Sequence, residues 1–138
     1  MEFIIYRDSW RRGGNGEENE LTDKLGSTSL YEPAHKLQCC LGQIACQAGI
    51  PLEVLKDEGE PENIPGDYAE QAESAAIAYL DEESGMRNSS LANRCMPIND
   101  GRMEDGVRET RLSAEFAQDS PHTLKFVDGI APWFQPAV

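Results

Sequence analysis

The sequence is short of basic residues and of uninterrupted apolar stretches. Of its 138 residues, twelve are Lys or Arg against twenty-five Asp or Glu, a formal charge of −13. A chain so acidic is unsuited to coating DNA, RNA or an anionic membrane, because long-range repulsion opposes the approach. No run nears the about eighteen apolar residues of a membrane span. Met1-Glu2-Phe3-Ile4-Ile5 has no basic region ahead of an apolar signal core. The expectation is a soluble cytoplasmic protein with no membrane partner and no direct nucleic-acid partner. The pattern GxxxxGK[ST] is missing, and Gly13-Gly14-Asn15-Gly16 runs into Glu17-Glu18-Asn19-Glu20, where a phosphate would need donors; it reads as a polar loop. There are four cysteines and no CxxC pair. Cys39 and Cys40 are adjacent, a spacing that strains a disulfide, so free, mostly buried thiols in a reducing compartment are expected. His35, Cys39, Cys40 and Cys46 could suggest zinc, but without paired spacing a thiol core is the stronger reading, with neither metal nor cofactor.

What is present suits one domain over residues 1–138, of the usual size for a single core. Phe3-Ile4-Ile5-Tyr6 reads as a first strand. Leu37, Leu41, Ile44, Ala45 and Ala48 share one helical face, and Gly49 before Ile50-Pro51 is the expected stop. A short strand or turn is expected at Ser29-Leu30-Tyr31. The stretch from Lys56 to Gly66 is acidic, with Gly and Pro, and reads as a surface loop. Asp67 can cap a helix whose stripe is Tyr68, Ala72, Ala75, Ala76, Tyr79 and Leu80, ending at Glu83-Ser84-Gly85. Asn88 to Ile98 reads as a strand region, with Pro97 placing its end near a sheet edge, and Asn99-Asp100-Gly101 as a turn. A helix follows from about Glu104 to Gln118, its stripe interrupted by Val107. Thr123–Val127 is an alternating strand. Trp133 and Phe134, between prolines, either fold back or offer a contact surface. The predicted architecture is α+β: a small antiparallel sheet packed against about three helices.

Three chemistries compete for the site. Tyr6, Arg7, Trp10, Arg11 and Arg12 are a concentration of guanidinium and aromatic groups in an acidic chain, the equipment that holds a phosphate and a flat ring. With Arg94, Arg108 or Arg111 brought near, they would bind a nucleotide-like small molecule. The plainer role is that Trp10 packs and the arginines balance nearby acids. Second, the acids from Glu53 to Glu83, with Glu58, Glu60, Glu62, Glu70 and Glu73 as candidates, would engage a basic face on another protein. Third, Cys39 or Cys40 at a helix start with His122 later in the chain fits the outline of a cysteine hydrolase. Buried core thiols are the commoner role for adjacent cysteines. Paired acids such as Glu82-Glu83 and Glu104-Asp105 read as ordinary helix-surface charge.

The order of Ile5-Tyr6-Arg7-Asp8-Ser9-Trp10-Arg11-Arg12-Gly13, Lys36-Leu37-Gln38-Cys39-Cys40-Leu41-Gly42, Asn99-Asp100, Val107-Arg108-Glu109, Phe116-Ala117 and Lys125-Phe126-Val127 resembles a loose family of small tailed-phage and prophage proteins. The likeness spans the N-terminus and most of the second half. It departs at Gln43, where the family pattern has Phe, and in the acidic segment from Asp57 to Glu83. The family has no assigned activity, so the resemblance implies an origin and a setting: a small accessory protein in the host cytoplasm, acting by binding, in the manner of a counter-defence inhibitor. Binding to a basic host protein is the leading expectation, ahead of nucleotide sequestration and of hydrolysis.

Overall fold

The computed structural model describes residues 1–12, 30–33, 36–56, 58, 61, 64–80, 87–88 and 90–134. The loop from Gly13, residue Ser29, His35, Glu60, Glu62 and Glu82-Glu83 lie outside the described residues. Strand β1 (Glu2–Tyr6) turns Phe3 and Ile5 into the core and leaves Ile4 and Tyr6 half-buried. Five helices follow among the described residues: α1 (Cys40–Gln47), α2 (Leu52–Leu55), α3 (Ala69–Ser74), α4 (Ser90–Asp100) and α5 (Asp105–Asp119). Between α3 and α4 lies a two-residue antiparallel ladder of β2 (Tyr79–Leu80) with β3 (Arg87–Asn88), and β4 (Thr123–Val127) comes last.

The expected antiparallel sheet on three helices is corrected here. β1 pairs with β4 in parallel, Glu2 opposite Thr123 through Tyr6 opposite Val127, in a sheet of two strands accompanied by five helices. Antiparallel neighbours can be joined by a hairpin, whereas parallel ones need a crossover; here that crossover is everything between the two strands. α1 packs on β1, α5 on β4, and α4 on α5. Their inward side chains form one hydrophobic cluster that includes Phe3, Ile5, Leu41, Ile44, Leu112 and Phe116.

The expected strand over Asn88–Ile98 is mostly helix. Leu91, Cys95 and Ile98 are spaced four and three apart, which is a helical period, and all three are buried on α4. Pro97 had argued for an edge strand, but it stands exposed in the last turn of α4. The helix expected to run from Asp67 to Glu83 is also shorter. After a single 3-10 turn at Gly66–Tyr68, α3 stops at Ser74, and Asp67 makes no side-chain cap bond. Ala76 adopts φ 64, its N–H donates to the Glu73 carbonyl, and the Ile77 N–H returns to Ala72. Ala75, Ala76, Ile77 and Ala78 are all buried, so this run has no solvent face and crosses the core as a bent segment.

α1 begins at Cys40, because Leu37 and Gln38 form bridges to Glu32 and Trp10. Gly49, at φ +100, ends that helix as expected. Gly42 has a steric role: a Cβ there would sit 1.9 Å from the Leu30 carbonyl oxygen. α5 falls within a residue of its expected bounds, and Val107 is 48 % exposed, which accounts for the interrupted stripe. No helix among the described residues is long and apolar enough to cross a membrane.

Candidate functional site

The arginine-bearing turn is built into the fold from three sides. Asp8 exchanges bonds with Gly129: its N–H donates to the Gly129 carbonyl at 3.1 Å, and its Oδ2 accepts the Gly129 N–H at 3.0 Å. Ser9 Oγ accepts the Ala131 N–H at 2.8 Å. Trp10 is buried against Phe126, ring centroids 5.2 Å apart, and its Nε1–H donates to Asn99 Oδ1 at 2.7 Å. The same Asn99 oxygen accepts the Cys40 N–H at 3.1 Å, so it caps α1 across the fold where Cys39 supplies no side-chain cap. Asn99 Nδ2 donates to the Arg11 carbonyl. One buried amide thus ties the N-terminal turn, α1 and the end of α4 together.

The arginines are engaged within the chain. Arg7 grips Glu109 through Nε at 3.0 Å and Nη2 at 2.7 Å, and reaches Asp128 at 3.1 Å; the Glu109 bonds, foremost, hold its pKa above the usual value. Arg12 grips Asp105 through two bonds, at 2.9 and 3.0 Å, donates to the Arg7 and Trp10 carbonyls, and lies over the Trp10 ring with its guanidinium carbon 4.5 Å from the centroid. Those bonds from Arg12 foremost, with the charges of Arg12 and Arg108, hold the Asp105 carboxyl below its usual range despite partial burial. Arg108 is fully buried and donates to the carbonyls of Ile98, Asn99, Gly101 and Met103, closing the C-terminal end of α4; burial lowers its pKa. Arg11 is buried and its pKa is likewise lowered by burial, against the pull of Asp100. Arg94 joins α4 to α5 through Glu115 at 2.8 Å and Asp119. Arg111 stands exposed on α5, with Met103 Sδ 3.9 Å from its Nη1. Tyr6 is half-buried, edge-on to Trp133. The structure therefore brings Arg7, Trp10, Arg11, Arg12 and Arg108 together, and it brings their carboxylate and carbonyl partners with them.

The thiols are arranged against nucleophilic chemistry. Cys39 and Cys40 are buried, and burial pushes Cys39 up to about 12 and raises Cys40 well above the ordinary value. An activated cysteine needs the opposite shift. Burial also raises Cys46, and pushes Cys95 up to about 12. His122 is buried edge-on to Phe3, and its Nε2 lies 2.6 Å from the Ser74 carbonyl oxygen, which can only accept. Neither ring nitrogen bonds a thiol among the described residues. All four cysteines are free, and no three His, Cys, Asp or Glu side chains among the described residues gather as metal ligands.

The candidate acids fall differently. Glu70 and Glu73 are exposed on α3, one turn apart, beside exposed Asp67. Glu58 is half-buried and ties Leu30 through its backbone carbonyl at 2.7 Å.

Several working residues carried no sequence signal as single positions. Gln43 and Gln47 of α1 use both ends of their amides on the open edge of β1. Gln43 takes the Tyr6 N–H at 2.7 Å and donates to the Tyr6 carbonyl at 3.1 Å; Gln47 does the same to Ile4 at 2.8 and 2.7 Å. Two glutamines four apart in an otherwise apolar helix were the available clue. Gln38, fully buried, accepts the Trp133 Nε1–H at 2.8 Å and donates to the Gly42 carbonyl. Trp133 and Phe134 accordingly fold back: Trp133 contacts Tyr6 at 5.8 Å, Phe134 contacts Tyr31 at 5.7 Å, and the two rings lie 6.2 Å apart.

Comparison with protein-family models, with curated proteins and with solved structures finds no match to this chain.

Proposed function

We propose that this is a phage-type accessory protein that acts by binding, its acidic segment engaging a basic surface on a host protein in the manner of a counter-defence inhibitor. One observation carries the reading: ten of the twenty-five acids and none of the twelve bases lie between Lys56 and Arg87. The exposed members there, Asp67, Glu70 and Glu73, make no ion pair to another described residue. Such a segment attracts a basic partner over a Debye length of about 8–10 Å and raises its association rate. The phage setting rests on the motif resemblance alone.

The alternative, a nucleotide held by the arginine turn, is the less favoured. A phosphate there would have to displace Glu109 from Arg7 and Asp105 from Arg12, trading one bidentate anion for another. The hydrolase is less favoured still, since it needs a low thiol pKa where burial raises it.

The test is affinity capture from host lysate with the unsubstituted protein and with Asp67→Lys, Glu70→Lys and Glu73→Lys combined. The proposal expects a basic protein in the first eluate and much less of it in the second, at unchanged thermal stability. A partner retained equally by both, or a heat-released nucleotide lost on Arg7→Ala, would overturn it.

A further inference from the structure

Four aromatic side chains form a continuous strip, in the order Tyr6, Trp133, Phe134, Tyr31, with neighbouring centroids 5.8, 6.2 and 5.7 Å apart. Each is half-buried, so each keeps part of its surface open to solvent. The strip is fixed in place. Trp133 is pinned through its indole N–H to Gln38, the Phe134 N–H donates to the Ala131 carbonyl, and Tyr31 bridges to Lys56. A preformed aromatic surface loses little side-chain freedom on binding. The chain that carries it has a formal charge of −13. At the Tyr31 end stand Glu32, next in the chain, and Glu58, whose backbone carbonyl accepts the Leu30 N–H, together with Lys56 in the bridge to Tyr31. At the Tyr6 end the adjoining Arg7 is neutralised by Glu109 and Asp128.

Ring faces attract cations, arginine above all because its planar guanidinium also stacks. The fold already shows the pairing once, where Arg12 lies over Trp10. We infer that the Tyr6–Trp133–Phe134–Tyr31 strip docks an arginine-bearing segment of a protein partner, the neighbouring acids supplying the attraction and the rings the stacking contacts. The inference rests on the acidic-surface reading and names the contact that reading leaves open.

The probe is a peptide of five Gly-Arg repeats, with a Gly-Lys analogue and a nucleoside monophosphate as comparisons. In the unsubstituted protein each of the two tryptophans contributes one indole N–H signal. Titration with Gly-Arg should move the Trp133 signal and leave that of buried Trp10 in place. By calorimetry, Trp133→Leu with Phe134→Leu keeps apolar volume, leaves the charge unchanged and removes two ring faces; it should weaken Gly-Arg binding about five- to tenfold and abolish the preference for Gly-Arg over Gly-Lys. If the leucine protein fails to fold, the indole signals of the unsubstituted protein still decide. A stationary Trp133 signal, or equal affinity of the folded leucine variant, would overturn the inference. In that case a loss of binding in the Asp67, Glu70 and Glu73 lysine variant would leave the acidic reading standing, and no loss would remove both. A Trp133 signal moved by the monophosphate and not by Gly-Arg would also overturn it, in favour of a planar anionic ligand.

Discussion

Arg7 and Arg12 each hold a carboxylate through two hydrogen bonds, whereas Asp67, Glu70 and Glu73 stand exposed with no ion pair to another described residue. In the N-terminal turn nearly every polar group has a structural task, and the task joins segments far apart in the chain: Arg7 to Asp128, 121 residues on, and Trp10 to Asn99, 89 residues on. Around α3 the helix is short, the bends are tight and the charge is of one sign. In this chain the clustered arginines of the N-terminal turn are matched internally, whereas the exposed acids on and beside α3 are not. Charge that can be offered to a partner is the kind with nothing opposite it.

The strongest way to break this comparison is steric. Gly42→Ala forces a Cβ against the Leu30 carbonyl, which is backbone and cannot swing aside, whereas Gly66 ahead of α3 has nothing within 4 Å of the equivalent position. Denaturant unfolding should show a loss of more than about 4 kcal/mol for Gly42→Ala, and a change within about 0.5 kcal/mol for Gly66→Ala. Next comes the buried amide. Asn99→Ala strands the indole N–H of Trp10 and the Cys40 N–H at the start of α1, and should lower stability by about 3 kcal/mol, with faster hydrogen exchange at Cys40 and Leu41.

A smaller effect tests the ion pair by pH. The Asp105 carboxyl is held below the usual 3.8, so its contribution is complete above that value and disappears as the pH falls through the folded-state pKa. Asp105→Asn should cost about 1 kcal/mol at pH 7, and the difference between it and the parent, followed by thermal melting, should vanish in acid. The smallest change has the opposite sign. Ala76 is a buried alanine in the left-handed region after α3, and Ala76→Gly should raise stability by about 0.5–1 kcal/mol. A loss there would mean that its methyl group packs better than its backbone strain costs.

Local pattern carried the parts that depend on local pattern. The strands Phe3–Tyr6 and Thr123–Val127 and the helix after Glu104 have the right period and bounded ends, and they occur close to where the sequence places them. Parallel pairing was not legible, because nothing in either strand encodes its direction relative to the other. α4 is hard to see because Leu91, Cys95 and Ile98 are few enough to suit a strand region, and Pro97 suits the end of an edge strand as well as the last turn of a helix. The helix after Asp67 is shorter than its stripe implies because the alanines at 75 and 76 suit a buried bend as well as a helical face. In the arginine turn the cluster itself was visible. Its carboxylate partners were not, since Asp105 and Glu109 look like ordinary helix acids until the fold places them opposite Arg12 and Arg7.

The paired glutamines on α1 also bear on the order of events during synthesis. β1 leaves the ribosome ahead of β4, its strand partner, which follows more than a hundred residues later, a delay of roughly 6–24 s at about 5–20 residues per second. For that interval Phe3-Ile4-Ile5-Tyr6 is a β-prone, apolar segment of the type that templates aggregation. Gln43 and Gln47 emerge early and can occupy one edge of the strand, on the backbone groups of Ile4 and Tyr6, long before β4 exists to take the other. The helix that covers the edge in the finished protein can thus serve as a chaperone in cis while the chain is being made.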